Sequence, residues 1–173
     1  MQYKILKKQN NTDTCFVCGM LNDAGLKAFF YDTIDEQGEN ALITKVNPQP
    51  FHQSYPNRMH GGIISALLDE SMGRAVQITH PDIWAVTIDL NVKFRKPTPL
   101  DQTLYIESRV TDFGSRAFSA EGKMMLADGT VLATGSGKFF RVPYEQVFQD
   151  IKLDDTNWYV VDEDMPKFIE IGS

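Results

Sequence analysis

The chain has 173 residues, a length typical of one domain and sufficient to bury a hydrophobic core. Apolar residues make up 42% and charged residues 23%, values that favour a soluble globular protein over a disordered or membrane protein. The net charge of −6 argues against a nucleic-acid-binding protein, because contacts with phosphates require clustered lysines and arginines.

The N-terminal segment has two features that bear on location and metal binding. Residues 1–11 include lysines but precede no apolar segment of the kind found in secretory signals, so we expect a cytoplasmic protein. Cys15 and Cys18 are spaced like half of a zinc site or a redox pair. Because the three histidines supply no matching second pair of ligands, a structural turn with reduced thiols is favoured over a metal site.

Strand-like patterns precede one helical pattern. Loosely alternating aromatic and β-branched residues predict strands at 25–35 and 40–47, and prolines exclude regular structure in the loop that follows. Between His60 and Val76, apolar residues recur at helical spacing and predict a long helix with one apolar stripe. The residues of this stripe are Ile64, Leu67, Leu68, Met72 and Ala75.

The segment Val86 to Phe94 shows the clearest strand pattern in the chain. Its even-numbered residues are apolar and its odd-numbered residues are polar, which predicts two distinct faces. The residues of the predicted polar face are Thr87, Asp89, Asn91 and Lys93.

The rest of the chain predicts a sheet that covers the helix. Strands are expected at 102–112, 115–126 and 130–141, and Asp128-Gly129 predicts a hairpin between the last two. A lone helix with an apolar stripe needs a sheet to bury it, so we expect an α+β fold in which a curved antiparallel sheet wraps around one long central helix. A short helix at Tyr144 to Asp150 and an acidic tail are expected to follow.

His60-Gly61-Gly62 directly precedes the predicted helix. Free N–H groups and the positive end of the helix dipole are available there to a developing oxyanion, although the glycines also fit a sharp helix start.

Asp69 lies off the apolar stripe among small residues, and Glu70 is the next acidic candidate, while a solvated helix face would explain either acid.

Gly61 and Asp69 lie too far apart on one helix to act on a single carbonyl. Their separation is roughly 12 Å along the helix axis. If both groups serve one reaction, they come from two helices, which predicts a symmetric dimer with shared sites.

The combination of His60-Gly61-Gly62, Asp69, the strand at Val86 to Phe94 and Pro97 resembles the PaaI-like (phenylacetic-acid-type) hotdog thioesterases. The resemblance spans roughly residues 15–142. The segment from Cys15 to Gly19 is also similar to the opening of one branch of that family.

The resemblance implies a hotdog domain at 15–142, between an N-terminal extension at 1–14 and a C-terminal extension at 143–173. It implies hydrolysis of acyl-CoA thioesters by homodimers or by tetramers built from dimers, with no metal or bound cofactor. The composition and charge lead us to expect no nucleic-acid or membrane partner. Asp69 would act as general base or nucleophile, and the Gly61 N–H would polarise the carbonyl oxygen.

The resemblance implies further site residues around this pair. His60 would shape the turn, Thr87 would lie near the attacking water, and an upstream amide would hold the carbonyl or the water. Asn57 is the candidate for this amide, with Gln53 as the alternative. The expected substrate-binding residues are Gly62, Glu70, Arg95 and Lys96, of which the last two supply positive charge for CoA.

Two alternative functions remain open at this stage. A hydratase or dehydratase acting on acyl thioesters would need a histidine and an acid that cooperate, and His52 is the only loop histidine besides His60. A non-catalytic acyl-CoA binding or sensor protein would use the same fold without chemistry.

Overall fold

In a computed structural model, one antiparallel sheet packs against one long helix. The structure describes residues 1–143, 146, 158–161 and 165–172. Within these residues, none of the helices is long and apolar enough to cross a membrane. The elements are α1 (Gly61–Arg74) and the strands β1 (Gln2–Lys8), β2 (Phe29–Ile34), β3 (Asn40–Val46), β4 (Ile83–Phe94), β5 (Leu104–Phe113), β6 (Ala117–Met125), β7 (Val131–Pro143) and β8 (Phe168–Glu170).

The sheet has the order β4-β7-β6-β5-β3-β2-β1-β8, and every neighbouring pair of strands is antiparallel. The predicted hairpin joins β6 to β7 through Gly129, whose φ of 81° suits glycine. The expected α+β architecture, with a curved antiparallel sheet around one central helix, is confirmed. β4 is one edge strand of this sheet and β8 is the other.

Two strands were not predicted, one from each end of the chain. β1 pairs with β2 and buries Tyr3 and Ile5, and β8 pairs with β1 through Ile169 and its neighbours. Both segments assigned to extensions therefore contribute strands to the central sheet. The predicted helix at Tyr144 to Asp150 lies outside the described residues, apart from residue 146.

α1 packs closely on the sheet because two glycines face it. Gly122 of β6 pairs directly with Gly135 of β7. A Cβ at Gly122 would lie 3.1 Å from side-chain atoms of both Leu68 and Met72, and a Cβ at Gly135 would lie 3.2 Å from Met72. Larger residues at these positions would push α1 away from the sheet, which would displace every side chain that the helix carries.

The buried stripe of α1 gives a direct test of this packing. Leu68 is fully buried, whereas Leu21 is 70% exposed. We expect Leu68→Ala to lower the free energy of unfolding by about 2–5 kcal/mol, because it leaves a cavity beneath the helix. The same substitution at Leu21 is expected to cost less than about 0.5 kcal/mol. Urea denaturation monitored by circular dichroism measures the free energy of unfolding of both variants. Equal losses of stability in Leu68→Ala and Leu21→Ala would contradict the packing described.

Candidate active site

The first turn of α1 presents a backbone donor. His60 is the N-cap residue, and its Nδ1 accepts the backbone N–H of Gly62 at 2.9 Å. Gly61 is the first helical residue, a position where the N–H has no acceptor within the helix. Because the Gly62 N–H is bonded to His60, Gly61 is the better-placed donor for a ligand at the positive end of the helix.

An open cavity of about 650 Å³ lies beside Gly61. Arg95 and Lys96 line it, so the structure brings the predicted basic pair next to the helix start. Asn57 is not among the lining residues. It occupies an exposed turn with a φ of 58°, whereas its neighbours Tyr55 and Arg58 do line the cavity.

Asp69 lies on α1 opposite β4. The hydroxyl of Thr87 donates a hydrogen bond to Asp69 Oδ1 at 2.7 Å. Burial raises the pKa of the Asp69 carboxyl above its ordinary value, the Thr87 hydrogen bond opposes this shift, and the nearby charge of Glu70 adds to it. Asp69 is thus a carboxyl group with increased basicity and a fixed orientation.

The contact between Thr87 and Asp69 depends on an irregularity in β4 that the sequence analysis did not predict. The pairing of β4 with β7 shifts register between Thr87 and Asp89, which identifies a β-bulge at Ile88. The predicted uniform alternation along β4 is therefore wrong. Thr87 faces α1 before the bulge, whereas Leu90 and Val92 pack against the core after it.

A second cavity, of about 270 Å³, contains the Asp69 carboxyl. Gly73 also lines it, in agreement with the predicted open space beside Asp69. Trp84 and Trp158 form part of the wall, with ring centroids 4.9 Å apart. Sequence reasoning missed both residues, although the chain contains only these two tryptophans.

Glu70 lines the same cavity but is held by an ion pair. Arg74 Nε donates to Glu70 Oε1 at 2.9 Å, and the Arg74 guanidinium is itself buried against the rings of Phe30 and Trp158. Asp69 has no such cationic partner among the contacts of the described residues. The geometry therefore favours Asp69 over Glu70 as the reactive carboxylate.

No histidine lines the Asp69 cavity in the part of the chain that the structure describes. His52 is buried in the loop before α1, where its Nδ1 accepts the backbone N–H of Gln49 and its Nε2 lies 3.2 Å from the carbonyl oxygen of Ala24. His60 is bonded at the helix start. The acid and histidine pair that a hydratase would need is therefore not assembled around Asp69.

Comparisons with known proteins show similarity to thioesterases. Residues 57–133 match the Thioesterase superfamily. The chain is 28% identical to “Putative esterase VNG_1336C” of Halobacterium salinarum over 145 residues, which cover 75% of this chain and 89% of that protein. It is 22% identical to the acyl-coenzyme A thioesterase THEM4 of Bos taurus over 119 residues, or 68% of this chain and 48% of that protein.

A solved structure is also similar to this chain. The BH2602 protein from Bacillus halodurans, determined with CoA, is 32% identical and superposes with a TM-score of 0.53 over 57% of this chain and 70% of that chain. The chain thus has the hotdog fold of thioesterases, and its residues 57–133 are similar to the Thioesterase superfamily. It spans about half the length of THEM4.

The hydrogen bond from Thr87 predicts a measurable effect on Asp69. Because this bond stabilises the ionised carboxylate, Thr87→Val is expected to raise the pKa of Asp69 further, whereas Thr87→Ser retains a hydroxyl and should stay near the native value. Titration of the Asp69 carboxyl carbon by NMR measures this pKa in the native protein and in both variants. An unchanged or lower pKa in Thr87→Val would show that the bond does not form in solution.

Proposed function

We propose that this protein is an acyl-CoA thioesterase that hydrolyses an acyl- or aryl-CoA thioester to the free acid and CoA. The observation that carries the proposal is the Asp69 carboxyl, which is partly buried in a cavity, oriented by Thr87 and raised in pKa. A carboxylate of this kind is a stronger base than one in water. Asp69 acts either as the general base that deprotonates an attacking water or as the nucleophile.

The Gly61 N–H is the proposed oxyanion donor. Attack on the thioester carbonyl places negative charge on its oxygen, and a backbone N–H at a helix N-terminus stabilises that charge. The thiolate of CoA then leaves as the carbonyl forms again, and it takes up the proton that Asp69 removed from water. If Asp69 is instead the nucleophile, water then cleaves the resulting anhydride, which releases the free acid and restores Asp69. In one chain, Gly61 and Asp69 open into separate cavities, so a single subunit does not offer both groups to one carbonyl.

A dimer across the β4 edge brings the two groups together. α1 runs antiparallel to β4: a Cβ at Gly61 would lie 3.4 Å from the Phe94 ring, Asp69 bonds Thr87, and a Cβ at Gly73 would lie 3.3 Å from Ala85. If β4 pairs antiparallel with its copy about a point between Leu90 and Asn91, Thr87 comes opposite the partner's Phe94. Because Gly61 lies beside Phe94 and Asp69 contacts Thr87, this pairing places the partner's Gly61 next to Asp69.

The exposed surface of β4 supports this pairing. Val86 and Ile88 are 54% and 55% exposed on an edge strand, and Phe140 beside them is 46% exposed. Long, apolar edge strands are liable to pair with another chain, and a symmetric dimer removes the edge. In the proposed dimer, Arg95 and Lys96 of the partner line the same cavity as its Gly61, and their positive charge suits the phosphates at the far end of the pantetheine arm of CoA.

Release of CoA from a panel of aryl and fatty acyl-CoA thioesters tests the proposal. We expect Asp69→Asn to lower turnover by at least about 100-fold, because it removes the base or nucleophile. The control is Asp112→Asn, which makes the same chemical change at an exposed position of β5 and is expected to keep native turnover. Chromatography quantifies the free CoA, and light scattering checks that each variant keeps its oligomeric state.

Other outcomes of this experiment are equally informative. If the native protein binds the thioesters without hydrolysing any of them, it is a binding or sensor protein. If Asp69→Asn retains full turnover, another group performs the reaction.

A further inference from the structure

Cys15 and Cys18 lie together at the wall of the Asp69 cavity. Their sulfur atoms lie within 4.8 Å of each other. A tight turn sets this distance, in which the Gly19 N–H donates to the Cys15 carbonyl oxygen at 2.8 Å. A Cβ at Gly19 would lie only 2.3 Å from that oxygen, so the turn requires glycine. The thiols are thus brought together by the local backbone.

The two thiols differ in environment. Cys15 is partly exposed, and its Sγ accepts the backbone N–H groups of Val17 at 3.3 Å and of Cys18 at 3.4 Å. The Cys18 side chain and these N–H groups stabilise the thiolate, whereas burial and the charge of Glu70, whose Oε2 lies 3.9 Å from Cys15 Sγ, oppose it. The stabilising contacts are the stronger and lower the pKa of Cys15 to about 6. Cys18 is fully buried, and its hydrogen bond to Cys15 together with burial raises the pKa of its own thiol.

This asymmetry separates an attacking thiol from a resolving thiol. Disulfide exchange needs one accessible thiolate and one nearby thiol that is protected until the first has reacted. The chain contains two cysteines in total, so every reaction of a thiol can be assigned to this pair.

A metal ion is a poorer occupant of the same cluster. Cys15, Cys18 and Glu70 place one ligand atom each within 4.8 Å of one another. However, the Arg74 guanidinium donates to both Cys18 Sγ, at 3.3 Å, and Glu70. A cation bound there would lie beside a fixed positive charge and would have to displace an established ion pair.

We propose that Cys15 and Cys18 form a thiol–disulfide exchange site that opens into the Asp69 cavity and reacts with small disulfides. The Cys15 thiolate attacks one sulfur of a disulfide RSSR, forms a mixed disulfide and releases RS⁻. Cys18 then attacks the Cys15 sulfur, forms the Cys15–Cys18 disulfide and releases the second RS⁻, which takes up the Cys18 proton. Two electrons pass from the cysteine sulfurs to RSSR, which leaves as two thiols.

Oxidised glutathione is a suitable probe, and mass spectrometry of the intact chain provides the readout. The native protein is expected to lose two hydrogen atoms and to retain no adduct. Cys18→Ser is expected to hold one glutathionyl group on Cys15, because the resolving thiol is absent. Cys15→Ser is expected to stay unmodified, because Cys18 is buried. Circular dichroism checks the fold of each variant.

The rate of the first step separates a built site from an ordinary exposed thiol. At pH 6.5, a thiol with a pKa near 6 is about three-quarters ionised, against roughly 1% for a free cysteine. The larger ionised fraction raises the reaction rate, whereas the lower intrinsic nucleophilicity of a low-pKa thiolate reduces this rate gain about tenfold. We therefore expect folded Cys18→Ser to react about five- to tenfold faster than the same chain unfolded in urea. Cys18→Ala, which lacks the donor to Cys15, should react more slowly than Cys18→Ser.

Three results would overturn the proposal. The first is a glutathionyl group on Cys18 in Cys15→Ser, formed as fast as the adduct on Cys15 in Cys18→Ser. The second is a folded Cys18→Ser that reacts no faster than the unfolded chain. The third is a stoichiometric metal ion in the purified protein, with thiols that react only after chelation. None of these measurements depends on thioester hydrolysis.

Discussion

The packing of α1 along the edge strand β4 determines where every candidate catalytic group lies. Gly122 and Gly135 let the helix approach the sheet, and the bulge at Ile88 turns Thr87 toward Asp69. The same antiparallel packing places Gly61 beside the far end of β4. A helix of 14 residues therefore carries the candidate acid and the candidate oxyanion donor, which face different parts of one strand. In the proposed dimer, a second copy of that strand, related by twofold symmetry, brings the two parts together.

The Asp69 cavity combines groups from distant parts of the chain around one carboxylate. Thr87 orients Asp69, the Glu70–Arg74 ion pair fills the neighbouring turn of α1, and the tryptophan pair forms part of the wall. Burial in this setting raises the pKa of Asp69. The protein thereby maintains a more basic carboxylate at a cost in desolvation, a feature that is common at functional sites.

Much of this arrangement could be predicted from the sequence because its signals are local. Helical spacing predicted α1, and the small residues beside Asp69 together with the family resemblance made it the candidate acid, a role that stays a prediction. The bulge at Ile88 could not be predicted, since it depends on pairing with β7 rather than on the composition of β4. β8 has only three residues and forms by pairing with β1 at the opposite end of the chain, so its own sequence carries little signal for a strand. β1 does carry a short local signal, the alternation of Tyr3 and Ile5 with Gln2 and Lys4.

The shared site is tested most directly by mixing two inactive variants. Gly61→Pro removes the N–H at a helical position that tolerates proline, and the extended backbone of His60 suits a residue before proline. Gly61→Ala is the matched control, because it adds a carbon atom but keeps the backbone N–H. Co-expression of Gly61→Pro with Asp69→Asn produces mixed dimers, each with one intact site and one doubly altered site, so about a quarter of native turnover should return. Activity that stays at the level of either variant alone, in mixed dimers verified by mass spectrometry, would contradict a site shared between subunits.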